Sequence, residues 1–467
     1  MVEIALSAML PKIQDPELEY AKYLNFLVSL RERRQNARAV SARPFDITVD
    51  VSTACQLHCP YCSTGNGTID RESMQMDLAM HEDILAKLGD TLFVVWYYST
   101  GEPLLNKRFP ELIAQTRGKE IFSIISTNLS MPLSDARIDA ILQSGLGLLT
   151  VSLDGTCQES YSRYRRGGKF QLVVDNLNRL VRRKRELATP CPLLEWRFLI
   201  FRHNEHEIAR ARQMAEEIGV DALEFIYGSA PRDAPPDAVQ CATLPLQGGT
   251  ESGTALDAGL RRRDTHLRRL LGGEVRHPPP HYEPHTLHKK CDWLYFGSMI
   301  YPDGQVGPCC VMGDRKDDFG ALRPTETFDE MWNNDKYRSG RGLPVGDADP
   351  DIACRRCTQK LSMDVQFAKT VNGILANAPD WVLAAIAAAP DAFLHEIDYG
   401  VWPCVNALTQ IQPGELTPSR EVLAKLRKDS AGSTAWHEHV RDILGLLTRG
   451  EKRPWWSSVL SGGRLRS

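Results

Sequence analysis

From residue 45 onward the chain repeats one pattern: a short apolar run, then a longer stretch whose apolar residues recur every three or four positions. The runs at 45–52, 92–99, 121–127, 148–154, 193–201 and 222–227 read as strands, and the stretches between them read as helices. Parallel neighbours need a long crossover, so six such units predict an α/β fold with a parallel sheet. A sheet of that size curls into part of a barrel, and in such barrels the chemistry sits at the C-terminal ends of the strands. Ahead of it, 13–38 reads as a polar helix with an apolar stripe of Tyr20, Tyr23, Leu24, Phe26, Leu27 and Leu30.

Within the strands the alternation separates two faces. On the first strand Phe45, Ile47, Val49 and Val51 form one face, and Asp46, Thr48, Asp50 and Ser52 the other. The same split puts Thr150, Ser152 and Asp154 on the fourth strand's polar face, Glu195 and Arg197 on the fifth's and Glu224 on the sixth's. Apolar faces packed on the helices leave a polar lumen.

Prolines and glycines break the pattern over 229–290, where one helix is expected at 256–271. A compact cysteine-bearing segment follows, and the rest looks helical. The expected architecture is a partial (β/α)6 TIM-like barrel with five parts: an N-terminal helical segment (1–44), the barrel core (45–228), a linker (229–290), a cysteine-rich domain (291–362) and a helical C-terminal region (363–467).

With 42% hydrophobic and 25% charged residues the composition is that of a soluble globular protein. A net charge of -3 gives no general pull on nucleic acid, and no nucleic-acid partner is expected. The apolar stretch 381–389 is far short of the ~20 residues that cross a bilayer, and no export signal is visible, so the expectation is a cytoplasmic protein with no membrane partner. The 12 cysteines then meet a reducing compartment, where clustered thiols bind metal more often than they form disulfides.

Cys55, Cys59 and Cys62 form C-x3-C-x2-C on the loop leaving the first strand. Three thiolates hold three corners of a cubane 4Fe-4S cluster and leave the fourth iron open, which implies chemistry. Structural zinc is the alternative, but it wants four closed ligands, and His58, the nearby fourth candidate, lies inside the loop.

These residues and their surroundings resemble the radical SAM superfamily. Tyr61 stands where that family places an aromatic residue near the adenine. Ser99-Thr100-Gly101-Glu102-Pro103 is similar to its GGEP segment, with Thr in place of the first Gly; the resemblance implies that Gly101, Glu102 and Pro103 bind the methionine amino group. Ser126-Thr127-Asn128 and Ser152-Leu153-Asp154-Gly155 close the third and fourth strands. The resemblance gives Ser126, Asn128, Ser152 and Asp154 contacts to the ribose and the methionine carboxylate, pairs Arg165 with that carboxylate, and places Asn204 at the close of the fifth strand. It further implies reductive cleavage of S-adenosylmethionine, hydrogen abstraction by the resulting 5'-deoxyadenosyl radical, and a flavodoxin or ferredoxin as electron donor.

A second set follows: Cys291, a turn at Tyr301-Pro302-Asp303-Gly304-Gln305, Cys309, and Cys354-x2-Cys357. The turn is expected to form a hairpin. This arrangement resembles the SPASM and Twitch domains, with the shorter Twitch form the better fit, and implies a second, auxiliary 4Fe-4S cluster. Cys310 competes with Cys309 for the ligand position. Cys157, Cys191, Cys241 and Cys404 lack partners at ligand spacing and are expected to be buried free thiols, and the row His277, His281, His285 and His288 is expected to line a loop.

The polar lumen favours a small hydrogen-bonding substrate, sugar- or aminocyclitol-like, to be dehydrogenated or dehydrated, with Glu195 and Glu224 as candidate catalytic acid and base. The alternatives are a ribosomal peptide as substrate and, outside enzymes, a zinc-bound scaffold.

Overall fold

The computed structural model describes residues 10–229, 238–243, 291–343, 346–357, 362–393, 416 and 418–448. They divide into two compact units: one contains the described residues from Asp46 to 243 together with Ser298–Phe328, and the other contains those before Asp46, from Cys291 to Gly297, and after Phe328. The expected helix at 256–271, the four-histidine row and Cys404 lie outside the described residues.

Helix α1 (Pro16–Gln35) belongs to the second unit. It starts where the Asp15 carboxylate accepts bonds from the Glu17 and Leu18 N–H groups, and Pro16 takes the first helical position, which needs no N–H. It ends at Asn36, whose left-handed φ of 53° turns its N–H back toward the Arg33 and Glu32 carbonyls. These caps make it shorter than the 13–38 that periodicity predicts. Its Arg33 forms a buried ion pair with Asp292 at 2.5 Å.

The first unit is built on β1 (Asp46–Val49), α2 (Leu78–Leu88), β2 (Val94–Trp96), α3 (Phe109–Thr116), β3 (Phe122–Thr127), α4 (Asp135–Gln143), β4 (Leu148–Ser152), α5 (Gln158–Tyr164), α6 (Phe170–Glu186), β5 (Leu193–Ile200), α7 (Ile208–Ile218) and β6 (Ala222–Tyr227). All six expected strands are present, and each pairs in parallel with the next. Ile84 and Leu88 on α2, Ile138 and Ile141 on α4, and Val173, Leu177 and Leu180 on α6 are buried, as are Ile47, Val49, Ile125 and Leu149 on the strands. This is the α/β barrel architecture that the alternation predicts.

The sheet does not stop at six strands. Beyond β1 it continues through β7 (Met299–Ile300), parallel to β1, into antiparallel β8 (Gln305–Gly307) and β9 (Gly320–Ala321). Sequence alone assigns 298–321 to a separate cysteine-rich domain; the structure joins it to the barrel's sheet. The physical reason is the free edge of β1, whose Thr48 and Asp50 N–H groups donate to the Ser298 and Ile300 carbonyls at 2.9 Å each. The hairpin turn forms as expected, closed by Gly304 at φ +76° with its N–H on the Tyr301 carbonyl at 2.9 Å.

The second unit continues with α8 (Trp293–Phe296), α9 (Asp335–Gly342), α10 (Ser362–Ala376), α11 (Asp380–Ala388), α12 (Pro390–Phe393), α13 (Arg420–Asp429) and α14 (Ala435–Thr448). Among the described residues no single helix is long and apolar enough to cross a membrane.

Candidate active site

The loop leaving β1 carries the first three cysteines. Leu57 and Cys59 are buried in one apolar cluster with Tyr164, Phe201 and Val239, and Cys55, Tyr61 and Cys62 pack against it. Burial pushes the Cys55 thiol up to about 11 and raises that of Cys59, which the Arg165 guanidinium opposes. An apolar wall favours neutral thiols, so thiolates there need positive charge. Two donors already aim at sulfur: Asn128 Nδ2 at 3.7 Å from Cys55 Sγ, and Arg165 Nη1 at 4.0 Å from Cys59 Sγ. Three clustered thiols with an amide and a guanidinium turned toward them fit the anionic ligand set of an iron-sulfur cluster. Among the described residues no three metal-binding side chains converge on a single-ion site. Thiolates that bind different irons of a cube stand farther apart than the ligands of one ion, so a single-ion geometry is not what this motif requires.

The end of β2 is clamped onto this loop. A Cβ on Gly101 would stand 1.9 Å from the Ser52 carbonyl oxygen and 2.8 Å from that of Ala54, and the Glu102 N–H donates to Ala54 at 2.8 Å. Only glycine permits that approach. Gly101→Ala is therefore expected to lower stability by about 1–3 kcal/mol, the usual cost of overpacking, as read by denaturant unfolding; an unchanged midpoint would refute the clamp.

Glu102 is buried, and its carboxylate accepts from Leu104 N (3.0 Å), Thr127 Oγ1 (2.7 Å) and Asn128 N (2.7 Å). Three of the roughly four acceptor positions of an ionised carboxylate are thus taken in tying the end of β2 to the end of β3. Pro103 opens a short 3-10 turn behind it.

At the ends of β4 and β5, Asp154 accepts from the Leu199 N–H at 2.8 Å and from Arg165 Nε at 2.5 Å. Asn204 donates to the Asp154 and Leu199 carbonyls and accepts from the Phe201 N–H, so its amide is fully engaged with backbone. Ser126 Oγ and Ser152 Oγ lie 3.3 Å apart on adjacent strands, and the Tyr61 hydroxyl donates to the Val239 carbonyl at 2.5 Å. The family-matched residues therefore gather at one end of one sheet. Sequence reasoning missed Gln56, whose amide donates to Asn128 Oδ1 at 2.8 Å and so orients the donor facing Cys55; its place inside the cysteine motif was the available signal.

The polar lumen is largely engaged with itself. Asp46 accepts from Trp96 Nε1 at 2.8 Å, and Thr150 donates to Glu195 at 2.9 Å. Arg197 bridges Glu195 (3.3 Å) and Glu224 (2.7 Å). Glu195 and Glu224, the candidate catalytic acid and base, are both held by one arginine that alternation places on the same face.

Asp50 accepts from the Thr100 N–H and hydroxyl, yet burial pushes its carboxyl up to about 6. A carboxyl raised above its unfolded value of about 3.9 favours the fold when protonated, so its contribution is full below that value and is lost as pH rises through 6. Wild-type protein should gain up to about 3 kcal/mol from this group between pH 7.5 and 4, a slope that Asp50→Asn removes in parallel melts. Identical slopes would refute the assignment.

Cys309 and Cys310 follow β8 in the first unit, while Cys291, Cys354 and Cys357 belong to the second. Cys157, Cys191 and Cys241 are exposed, contrary to the expectation of buried thiols. Cys157 caps α5, and Cys191 and Cys241 sit just outside β5, where the chain is at the surface.

The model of the radical SAM superfamily matches residues 49–193, and that of the SPASM iron-sulfur cluster-binding domain matches residues 291–358. The chain therefore carries a radical SAM domain followed by a SPASM domain, and the cofactors that go with these two families are a 4Fe-4S cluster, S-adenosylmethionine and auxiliary iron-sulfur clusters. Among its relatives, the GTP 3',8-cyclase of Chlorobaculum tepidum is 26% identical over 172 residues, 37% of this chain and 50% of that protein. This chain thus spans only half the length of that relative. The PqqA peptide cyclase of Bradyrhizobium diazoefficiens is 24% identical over 314 residues, 65% of this chain and 76% of that enzyme. The crystal structure of Streptococcus suis SuiB bound to S-adenosylmethionine superposes with a TM-score of 0.45 at 16% identity, covering 67% of this chain and 69% of that one.

Proposed function

We propose that this enzyme abstracts hydrogen from a peptide substrate. The observation that carries the reading is the extent of similarity: the GTP cyclase match covers 37% of the chain, whereas the peptide cyclase match covers 65%, more than the radical SAM segment alone. Further PqqA peptide cyclases, from Gluconobacter oxydans and Granulibacter bethesdensis, match over 68% of the chain. The sugar- or aminocyclitol-like substrate expected from lumen polarity is not supported. Its premise was a set of polar groups available to hydroxyls, and Asp46, Asp50, Thr150, Glu195, Arg197 and Glu224 already bond to protein groups.

In this reading Cys55, Cys59 and Cys62 hold the cluster that, when bound, supplies the electron for cleaving S-adenosylmethionine. Spacing assigns Cys291, Cys309, Cys354 and Cys357 to the auxiliary cluster. Arg165, fixed by Asp154, presents its guanidinium to the methionine carboxylate; Gly101, Glu102 and Pro103 receive the amino group. Tyr61, Ser126, Asn128 and Ser152 line the nucleoside side, and Asn204 holds Asp154 in place. Glu195 and Glu224 fix Arg197 in the lumen before either acts on a proton. A flavodoxin or ferredoxin serves as reductant.

The test incubates anaerobically reconstituted, dithionite-reduced enzyme and S-adenosylmethionine with a uniformly deuterated peptide library or with deuterated aminocyclitols. Deuterium should appear in 5'-deoxyadenosine from the peptides alone. Transfer from the aminocyclitols and none from peptides would overturn the reading.

A further inference from the structure

Residues 69–76, the return from the first cysteine motif, touch both cysteine-bearing segments of the first unit. On one side the Met76 N–H donates to Val51 O and the Thr53 N–H to Met74 O, both at 3.0 Å, while Thr53 Oγ1 donates to Glu72 O at 2.7 Å. This stretch therefore lies beside the residues leading into Cys55. On the other side the Asp70 N–H donates to Asp314 Oδ1 at 3.2 Å, and the Arg315 N–H to Asp70 O at 3.3 Å.

Arg71 closes the junction. Its Nε donates to the Gly313 carbonyl at 2.5 Å, its Nη2 pairs with Asp318, and its guanidinium lies 3.2 Å from the centroid of the Tyr301 ring. The Arg71 and Asp318 side chains are only 4% and 6% exposed. A buried pair of this kind adds little net stability over apolar packing, and its best-attested use is to fix register. A planar fork bonded in two directions while stacked on an aromatic ring admits one orientation. The segment it grips runs from β8 to β9 with a single 3-10 turn (Arg315–Asp317), and it carries Cys309 and Cys310.

We infer that Arg71 is a positioning residue that sets the path of the Cys309–Asp318 segment against the loop of the first cysteine motif, and so places a ligand thiol of the auxiliary cluster. The inference rests on the assignment of that cluster's ligands given above.

The test uses full-length protein in which Cys55, Cys59 and Cys62 are all replaced by Ala, so that iron, sulfide and the electron paramagnetic resonance signal report the auxiliary cluster alone. Into it are placed Arg71→Lys, which keeps the charge without the fork, and the double change Arg71→Met with Asp318→Leu, which leaves no orphaned buried charge. A chelator should strip iron at least about ten-fold faster from the double variant, with altered g values and unchanged far-ultraviolet circular dichroism, because the segment carrying the ligand thiol loses its fixed path and misplaced ligands bind metal about that much more weakly. Arg71→Lys should fall between, and it decides the matter if the double variant does not fold. Unchanged g values and stripping rates in the variants overturn the inference.

Cys309→Ser separates the two claims. If it keeps the cluster while the Arg71 variants lose it, Cys310 is the ligand and Arg71 still positions the segment. Absence of any cluster in the parent background defeats the ligand assignment and the inference together.

Discussion

Cys59→Ala should abolish S-adenosylmethionine cleavage and remove about four irons per chain, because two thiolates cannot hold a cubane that leaves one corner open. Cys59 is the most buried of the three cysteines, inside the apolar cluster of Leu57, Tyr164, Phe201 and Val239, with the Arg165 guanidinium turned toward its sulfur. Alanine there removes one heavy atom from a packed site, so folding should survive while the ligand is lost. Iron and sulfide analysis, with 5'-deoxyadenosine measured after reduction, reads both effects. Cys157→Ala, which removes an exposed thiol at the N-cap of α5, is the control and should match wild type. A Cys59→Ala enzyme that still produced 5'-deoxyadenosine would remove the basis of the site.

The strands were legible because each is an apolar run bounded by turn residues, and β3 through β6 lie within two residues of where that pattern puts them. The cysteine triad was legible because its spacing is local. The β7–β9 extension was not: Met299–Ile300 is two residues long, too short to show a period, and its partner β1 lies some 250 positions earlier in the chain, where no local pattern points to it. The lumen is legible only in part. Alternation put Glu195, Arg197 and Glu224 on one face, but it could not show that the arginine occupies both carboxylates, and that difference separates an open hydrogen-bonding surface from a closed one. Arg71 carried no signal at all, since its role depends on Asp318 and Tyr301, which follow the linker. Asn204 shows the opposite case: a residue picked out by resemblance to the family whose amide proves to be spent on the backbone.

The buried pair Arg165–Asp154 allows stability and cofactor affinity to be separated. Asp154 is fully buried and Arg165 is 15% exposed, with the two 2.5 Å apart. Arg165→Met strands a carboxylate whose remaining bond comes from the Leu199 N–H, and should cost about 3–5 kcal/mol in unfolding free energy. Adding Asp154→Asn removes that orphaned charge while its amide oxygen still accepts from Leu199, so most of the loss should be regained. Affinity for S-adenosylmethionine should behave differently. If Arg165 contacts the methionine carboxylate, its loss removes a charge-assisted hydrogen bond of about 1.5–3 kcal/mol, raising Kd roughly 10- to 100-fold in the single and the double variant alike. Stability that recovers without affinity identifies the guanidinium as a ligand to the cofactor. A double variant that binds S-adenosylmethionine as wild type does would reduce Arg165 to a counter-ion for Asp154, and the carboxylate contact would have to come from another group at the strand ends.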